Sequence, residues 1–180
     1  MKLEQAEILT YSGRMVRPFA MTAADIVIDD VAQGLANKCR WTGQTRDFLS
    51  IAQHSVFVYR LCGHPWGLLH DAAEAYLPDM PRTYKRFFPE IVAAEERILL
   101  AVAEVFDLPA TMPAAVHEAD GVVLATEARD LIGLPINHHT VSKWKPTAEG
   151  IVPVDPRTAR AMFLREFHKL TRGHALRRSA

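Results

Sequence analysis

The chain has 180 residues, close to the usual size of one domain, and 49% of them are hydrophobic, which is enough to bury a core. Lysine and arginine together number 21, as do aspartate and glutamate, so the net charge is zero and no basic field favours a nucleic-acid polymer as partner. The two cysteines, Cys39 and Cys62, form no CxxC pattern, which is typical of a reduced, cytoplasmic protein.

The N-terminal region predicts a small β-hairpin followed by a helix. The first residues carry charges and no apolar run, so we expect no signal peptide. A Ser-Gly turn signal at residues 12–13 separates the apolar stretches 8–11 and 15–19. Two aspartates then open a helical stretch over about 29–38. The longest apolar run, residues 98–103, is too short to span a bilayer, so we expect no membrane contact.

The remainder of the chain is predicted to be helical. Apolar periodicity, N-cap residues and prolines predict helices over about 51–61, 65–77, 90–106, 114–131 and 156–170. Ser50 is the expected N-cap of the first of these helices. The sum is a single all-α domain over residues 1–180, with five or six helices and at most a small hairpin.

The segment from His70 to Glu74 carries three ligand-type or acid-base side chains in five residues. On a helix, His70 and Glu74 are four residues apart, and Asp71 and Glu74 are three apart, so all three lie on one side. His70 and Asp71 can then reach one metal ion, with Glu74 about one turn away. The alternative is a solvated or mutually satisfied His-Asp pair without a metal.

Further ligands would have to come from other helices. His54 and Asp120 are each embedded in an apolar helical stretch. A carboxylate such as Asp120 is costly to bury without a partner. Gly121 lowers helix propensity and would admit close approach of another element.

The order of His54, then His70-Asp71, then Asp120 on successive helices resembles the HD-domain metal-dependent phosphohydrolases. Further matching residues resemble the bacterial 5′-deoxynucleotidase branch: Arg40-Trp41, the run from His70 to Glu74, Asp79-Met80-Pro81 and Lys85. The resemblance runs from about residue 37 to 129. It implies an HD-domain helical bundle with a motif core at about 37–131, followed by a loop and a C-terminal helix over 132–180.

The resemblance implies that His54, His70, Asp71 and Asp120 hold one divalent metal ion. Two imidazoles and two carboxylates suit Mn²⁺, Co²⁺, Fe²⁺, Ni²⁺ or Zn²⁺, with Mg²⁺ as a further option. The ion would acidify a water molecule and offset negative charge on a phosphate. Glu74 is the expected general base for that water.

Four further residues are expected to contact substrate: Arg40, Trp41, Asp79 and Lys85. Arg40 would grip phosphate and Lys85 would add a point charge. Trp41 would exclude a 2′-hydroxyl, and Asp79 would accept a hydrogen bond from the sugar. The alternatives are a core-filling Trp41, an Asp79 that only makes a turn, and a solvated Lys85.

The sequence departs from the family pattern at His117, since relatives often carry lysine three residues before the last metal aspartate. His117 lies one turn from Asp120, so we consider a phosphate contact, a second metal ligand and an exposed surface residue.

These residues predict a hydrolase that removes the 5′-phosphate from 2′-deoxynucleoside monophosphates. One alternative is a triphosphohydrolase that acts on deoxynucleoside triphosphates, because phage enzymes specific for dATP resemble the same motif set. Another is a nucleotide-binding regulator without turnover, although retention of Glu74 argues against it. A purely structural helical protein is the weakest alternative. The expected partner is a small nucleotide, and homo-oligomer formation remains an open option.

Overall fold

The fold consists of helices that pack around one central helix. The computed structural model describes residues 2–135 and 137–178, with side chains described as far as residue 172. Residues 1, 136, 179 and 180 of the expected single domain lie outside these ranges. Seven α-helices occur within the described ranges: α1 (Ile28–Asn37), α2 (Ile51–Cys62), α3 (Pro65–Leu69), α4 (Arg82–Lys85), α5 (Pro89–Phe106), α6 (Ala114–Glu127) and α7 (Pro156–Arg178). The all-α prediction is confirmed. The helices outnumber the expected five or six because α4, a single turn, was not anticipated.

The N-terminal hairpin is also confirmed. Strand β1 (Ile8–Leu9) pairs antiparallel with β2 (Met15–Val16). Gly13 in the turn between them has φ 81°, a left-handed conformation that glycine adopts without steric cost. Ser12 anchors the turn to α1, because its backbone N–H and its hydroxyl donate to the two carboxylate oxygens of Asp30 at 2.6 and 2.8 Å.

Helix α2 lies at the centre of the fold and packs against α1, α3, α6 and α7. The hydroxyl of Ser50 accepts a hydrogen bond from the N–H of Gln53 at 3.1 Å, which confirms the predicted N-cap. Gly63, at φ 67°, ends the helix. The α2 residues Ile51, Ala52, Gln53, His54, Ser55, Val56 and Val58 are all buried. Polar side chains on such a helix must find partners inside the protein.

The segment after α3 corrects the sequence prediction. One helix was expected from Pro65 to about Leu77, but α3 ends at Leu69 and a separate 3₁₀ turn follows over Ala72–Ala75. Asp71, at φ −100° and ψ 14°, lies at the break. In an unbroken α-helix, neighbouring side chains diverge by about 100°. The break instead lets the side chains of two neighbouring residues approach one point.

Helix α1 supports the 3₁₀ turn from outside. A Cβ atom on Gly34 would lie 2.8 Å from both the Cα and the carbonyl oxygen of Ala75, so the two backbones are in direct contact. The ammonium group of Lys38 donates to the carbonyl oxygens of Glu74 and Leu77. The position of the turn therefore depends on α1.

The C-terminal part of the chain returns to the central helix. Helix α6 continues into a π turn over Ala128–Ile132, so the helical stretch predicted to end near residue 131 is present with a wider last turn. The side-chain amide of Gln53 holds the loop between α6 and α7. Its NH₂ group donates to the carbonyl of Val152 at 2.8 Å, and its oxygen accepts from the N–H of Val154 at 3.0 Å. Among the described residues, no helix is both long enough and apolar enough to cross a membrane.

Candidate metal centre

Four side chains from three parts of the chain meet at one point. His54 comes from α2, His70 and Asp71 from the break after α3, and Asp120 from α6. The Nε2 atom of His54 lies 3.2 Å from Nε2 of His70 and 3.2 Å from Oδ1 of Asp120. Oδ2 of Asp71 lies 3.2 Å from Nε2 of His70. The structure thus brings together the four residues predicted as ligands, and His54, His70 and Asp120 have the spacing needed to hold a metal ion.

The two imidazoles direct their lone pairs at each other. Nδ1 of His70 lies 2.9 Å from the carbonyl oxygen of Gly67, which can only accept, so Nδ1 carries the proton. Nδ1 of His54 lies 2.6 Å from a carboxylate oxygen of Glu127 and is likewise the donor. In the neutral rings both Nε2 atoms are therefore acceptors, although they lie only 3.2 Å apart. A proton or a metal ion at Nε2 of His54 relieves this repulsion. Burial and Arg40 oppose a charge on His54, but Glu127 and Asp120 outweigh them and raise its pKa to about 9, so a proton occupies this position when no metal ion is bound.

The two carboxylates of the cluster are ionised. Burial opposes the charge on Asp71, but His70, His54 and Arg40 outweigh it and hold its pKa well below the usual range. Burial likewise opposes the charge on Asp120, whose pKa is lowered to about 2 by His54 and His70. Oδ2 of Asp71 is buried and accepts no hydrogen bond from the described residues. An orphaned carboxylate oxygen beside two imidazole lone pairs fits a divalent cation.

Glu74 lies beside this cluster, on the 3₁₀ turn. Its Oε2 atom is buried and makes no hydrogen bond within the described part of the chain, and its Oε1 atom lies 3.8 Å from the ammonium of Lys85. Burial, together with the charges of Asp71 and Asp79, raises the pKa of Glu74 to about 9. A nearby cation lowers the pKa of a carboxyl group, so a bound metal ion would favour the ionised form that can accept a proton.

Glu127 was not among the residues predicted from the sequence. It is fully buried at the end of α6, and its Oε2 atom accepts from the indole N–H of Trp41 at 2.8 Å and from the guanidinium of Arg40 at 3.2 Å. Burial opposes its charge, but Arg40, His54 and Trp41 lower its pKa. The available signal was its position, seven residues after Asp120 on the same helix and therefore on the same face.

Arg40 and Trp41 are held beside the cluster by an unusual turn. The N–H of Arg40 donates to the carbonyl of Leu49 at 2.8 Å, next to an isolated β-bridge, which closes the base of the loop just before α2. Trp41, Thr42 and Gly43 have φ values of 55°, 51° and 77°. Left-handed backbone is strained for bulky residues and persists where other contacts enforce it, often at functional sites.

A cavity of about 530 Å³ opens onto the cluster, which is within the range of small-molecule sites. It is lined by Arg40, Trp41, Thr42, Asp71, Glu74, Asp79, Met80, Pro81, Arg82, Thr83, Lys85, Asp120, Leu124, Thr140 and Trp144. The lining combines carboxylates and three cationic side chains with two tryptophans and a leucine.

The residues predicted to contact substrate divide into two groups. Arg40, Trp41, Asp79 and Lys85 all line the cavity. The ammonium of Lys85 is paired with Glu95 at 2.7 Å. The pKa of Asp79 is raised by its burial and by the negative charge of Asp71. His117 is exposed on α6 and lies outside the cavity lining, which agrees with its interpretation as a surface residue.

Comparison with known proteins identifies one relative matched over nearly its full length and another matched over about 70% of its length. No model of a known protein family matches the chain. The uncharacterized protein YfdR of Escherichia coli is 38% identical over 175 residues, which span 91% of this chain and 95% of YfdR. The uncharacterized protein RCAP_rcc00048 of Rhodobacter capsulatus is 38% identical over 139 residues, which span 68% of this chain and 71% of that protein. The chain therefore belongs to the same family as YfdR.

Proposed function

We propose that this protein is a metal-dependent phosphohydrolase that removes the 5′-phosphate from 2′-deoxynucleoside monophosphates. The observation that carries the proposal is the buried Oε2 atom of Glu74, which has no hydrogen-bond partner among the described residues and lies beside the cluster of His54, His70, Asp71 and Asp120. A carboxylate without a hydrogen-bond donor, next to a site that fits a cation, is suited to accept a proton from water. The resemblance to HD-domain phosphohydrolases supports the same assignment.

Glu74, Arg40 and Lys85 each have a role in this reaction. A divalent cation, when bound, acidifies water and offsets the charge of the phosphate. Glu74 takes a proton from the attacking water, whose oxygen forms the new bond to phosphorus. The bond between phosphorus and O5′ breaks, and the proton taken up by Glu74 passes to the leaving O5′, which becomes the free hydroxyl of the nucleoside. Arg40 and Lys85 contribute positive charge to the cavity and favour a dianionic phosphate.

The contacts to sugar rest on Trp41 and Asp79. The indole of Trp41 is fixed by its hydrogen bond to Glu127 at 2.8 Å, so it is a rigid wall of the cavity. A rigid wall against C2′ rejects a 2′-hydroxyl by steric overlap. Asp79 is half-buried in the same cavity and can accept a hydrogen bond from the 3′-hydroxyl.

The test is a substrate panel with the Mn²⁺- or Co²⁺-loaded protein. The panel contains the mono- and triphosphates of adenosine, 2′-deoxyadenosine and 2′-deoxycytidine. We expect inorganic phosphate from the deoxynucleoside monophosphates. Release of triphosphate from the deoxynucleoside triphosphates would replace the proposal with a triphosphohydrolase. Nucleotide binding without any product would replace it with a non-catalytic regulator.

A further inference from the structure

Trp144 lies directly on the backbone of α6 beside a candidate metal ligand. A Cβ atom on Gly121, the residue after Asp120, would lie 2.0 Å from Cε2 and 2.2 Å from Nε1 of the Trp144 indole. No side chain larger than hydrogen fits at this position without displacing the ring. Gly121 was expected to admit close approach of another element, and Trp144 is the residue that approaches it.

The Trp144 ring belongs to a continuous apolar part of the cavity lining. Trp41, Leu124 and Trp144 all line the cavity and all pack against one small cluster of buried apolar residues, Ala125, Ala128 and Val141. Leu124 lies four residues after Asp120, about 6 Å further along the helix axis. The apolar part of the lining thus adjoins the charged cluster, with Leu124 between Asp120 and Glu127 along the helix axis.

The loop that carries Trp144 is held at its C-terminal end. The N–H of Thr147 donates to the hydroxyl of Thr126 at 3.0 Å. The guanidinium of Arg129 donates to the carbonyl of Thr147 at 2.7 Å, and the N–H of Ile151 donates to Asp130 at 2.8 Å. These contacts hold the loop, while the indole itself packs on Gly121 and has the ammonium of Lys143 5.1 Å from its ring centroid. Binding therefore requires little ordering of the ring.

We propose that Trp144 and Leu124 form a subsite that binds the nucleobase of the substrate, an inference that rests on the proposed function. A nucleotide has an anionic phosphate at one end and a flat, largely apolar ring at the other, and the two parts of the lining match these ends. Contact of a base with an aromatic side chain strengthens binding about tenfold or more and tolerates every base.

The orientation of the indole makes the inference more specific. Nε1 of Trp144 is buried near Gly121 and donates to none of the described atoms. The indole lies with the face of its five-membered ring on Gly121, and its buried N–H does not reach the hydrogen-bonding edge of a base. Trp144 therefore supplies affinity for the ring with little discrimination among bases.

The experiment compares a nucleotide with the same sugar phosphate lacking a base. Dissociation constants of dAMP, dCMP and 2-deoxyribose 5-phosphate are measured by calorimetry with the Mn²⁺-loaded Glu74→Gln protein, so that turnover does not interfere. We expect both nucleotides to bind about tenfold or more tightly than 2-deoxyribose 5-phosphate. Equal affinity for all three ligands would overturn the subsite without any further variant.

Variants then assign the effect to the ring. Trp144→Ala and Gly121→Ala should each bring the ratio of nucleotide affinity to 2-deoxyribose 5-phosphate affinity close to one. Gly121→Ala acts because its added methyl group displaces the indole. Trp144→Phe should retain most of the ratio. Trp66→Phe is the matched control, since the Trp66 ring is buried elsewhere and its N–H donates to the carbonyl of Pro109 at 2.8 Å. A folded Trp144→Ala protein with an unchanged ratio would contradict the assignment.

The two proposals fail in different ways. A preserved ratio without phosphate release by the wild-type protein would remove the hydrolase and leave the base subsite intact. Phosphate release with equal affinity for nucleotide and sugar phosphate would remove the base subsite alone. If neither kind of ligand binds, both proposals are wrong.

Discussion

A carboxylate oxygen of Glu127 lies 2.6 Å from Nδ1 of His54, and both side chains are fully buried. Because the carboxylate accepts the Nδ1 proton, it fixes the tautomer that leaves Nε2 free to bind a metal ion. The other oxygen of Glu127 holds Arg40 and Trp41. One carboxylate therefore aligns a candidate metal ligand and two candidate substrate contacts.

Replacing Glu127 should weaken metal binding although Glu127 is not itself a ligand. Glu127→Gln removes the negative charge that orients His54, and loss of such a supporting partner typically costs about 10- to 100-fold in metal affinity. Competition with a chelator of known affinity measures this change. Glu118→Gln, at an exposed position of the same helix, is the control. Equal metal affinity in the two variants would mean that Glu127 has only a packing role.

Removing any candidate ligand should remove the metal. His54→Ala, His70→Ala, Asp71→Ala and Asp120→Ala are each expected to lose bound metal, to lose hydrolysis and to melt at a lower Tm, because a bound ion would link three parts of the chain. Elemental analysis of the purified variants provides the measurement. His117→Ala serves as the control, since this exposed histidine is one turn from Asp120. Stoichiometric metal in the Asp120 variant would exclude that residue from the ligand set.

Glu74→Gln should separate turnover from metal binding. Glutamine keeps the size of the side chain but cannot take up a proton, so the metal content should stay normal. Turnover should fall by about 10² or more, the usual scale for loss of a general base. Phosphate release and metal content are measured on the same preparation. Loss of the metal together with activity would indicate a ligand or supporting role for Glu74, and normal turnover would exclude the base assignment.

Trp41→Ala should relax the selection against ribose. The variant removes the wall that we assign to C2′, so kcat/KM for dAMP should fall while the ratio of AMP to dAMP activity should rise. Trp41→Phe retains a ring but loses the hydrogen bond to Glu127, and it should keep part of the selectivity. Arg40→Ala and Asp79→Ala should lower kcat/KM for dAMP and for AMP by similar factors. An unchanged ratio with a lower Tm would identify Trp41 as a core residue.

Asp130 should contribute stability that depends on pH. Pairing with Arg129 and the N–H of Ile151 lower the pKa of Asp130 in the folded protein. A lowered pKa stabilises the folded state above the unfolded pKa of about 4, and this contribution is lost as the pH falls through the folded pKa. Asp130→Asn should therefore lower the free energy of unfolding by about 1 kcal/mol at pH 7 and have little effect in strong acid.

Chemical denaturation at several pH values tests this prediction. Asp47→Asn, at an exposed position, provides the control. A loss of stability for Asp130→Asn that is the same at neutral and strongly acidic pH would show that the ionised carboxylate is not the cause.

Features with local causes could be predicted from the sequence. The Ser50 cap needs only a hydroxyl that reaches an N–H three residues further on, and the Gly13 turn needs only a residue that tolerates positive φ. The sequence also predicted the limits of α2 and α5 to within one residue, whereas α7 continues eight residues beyond its predicted end. The four candidate ligands were predicted from their order along the chain, which resembles that of the HD-domain phosphohydrolases.

Features that depend on distant contacts could not be predicted. The partner of Glu127 lies 73 residues away in the sequence, so no local pattern reveals the pair. The helix breaks at His70 and Asp71 although no helix-breaking residue follows before Pro78. The break is stabilised by α1 and by Lys38, the residue that follows it. The left-handed backbone of Trp41 likewise has no signal of its own, because tryptophan is not a residue that favours this conformation.

The contact between Gly34 and Ala75 makes the position of Glu74 depend on a helix outside the cavity lining. A methyl group at residue 34 would push Ala75 away, and the carboxylate of the preceding residue would move with it. Displacements of about 1 Å can reduce catalysis about 100-fold. Natural variation on this outer helix can therefore change the reaction rate while every residue that touches the substrate stays the same.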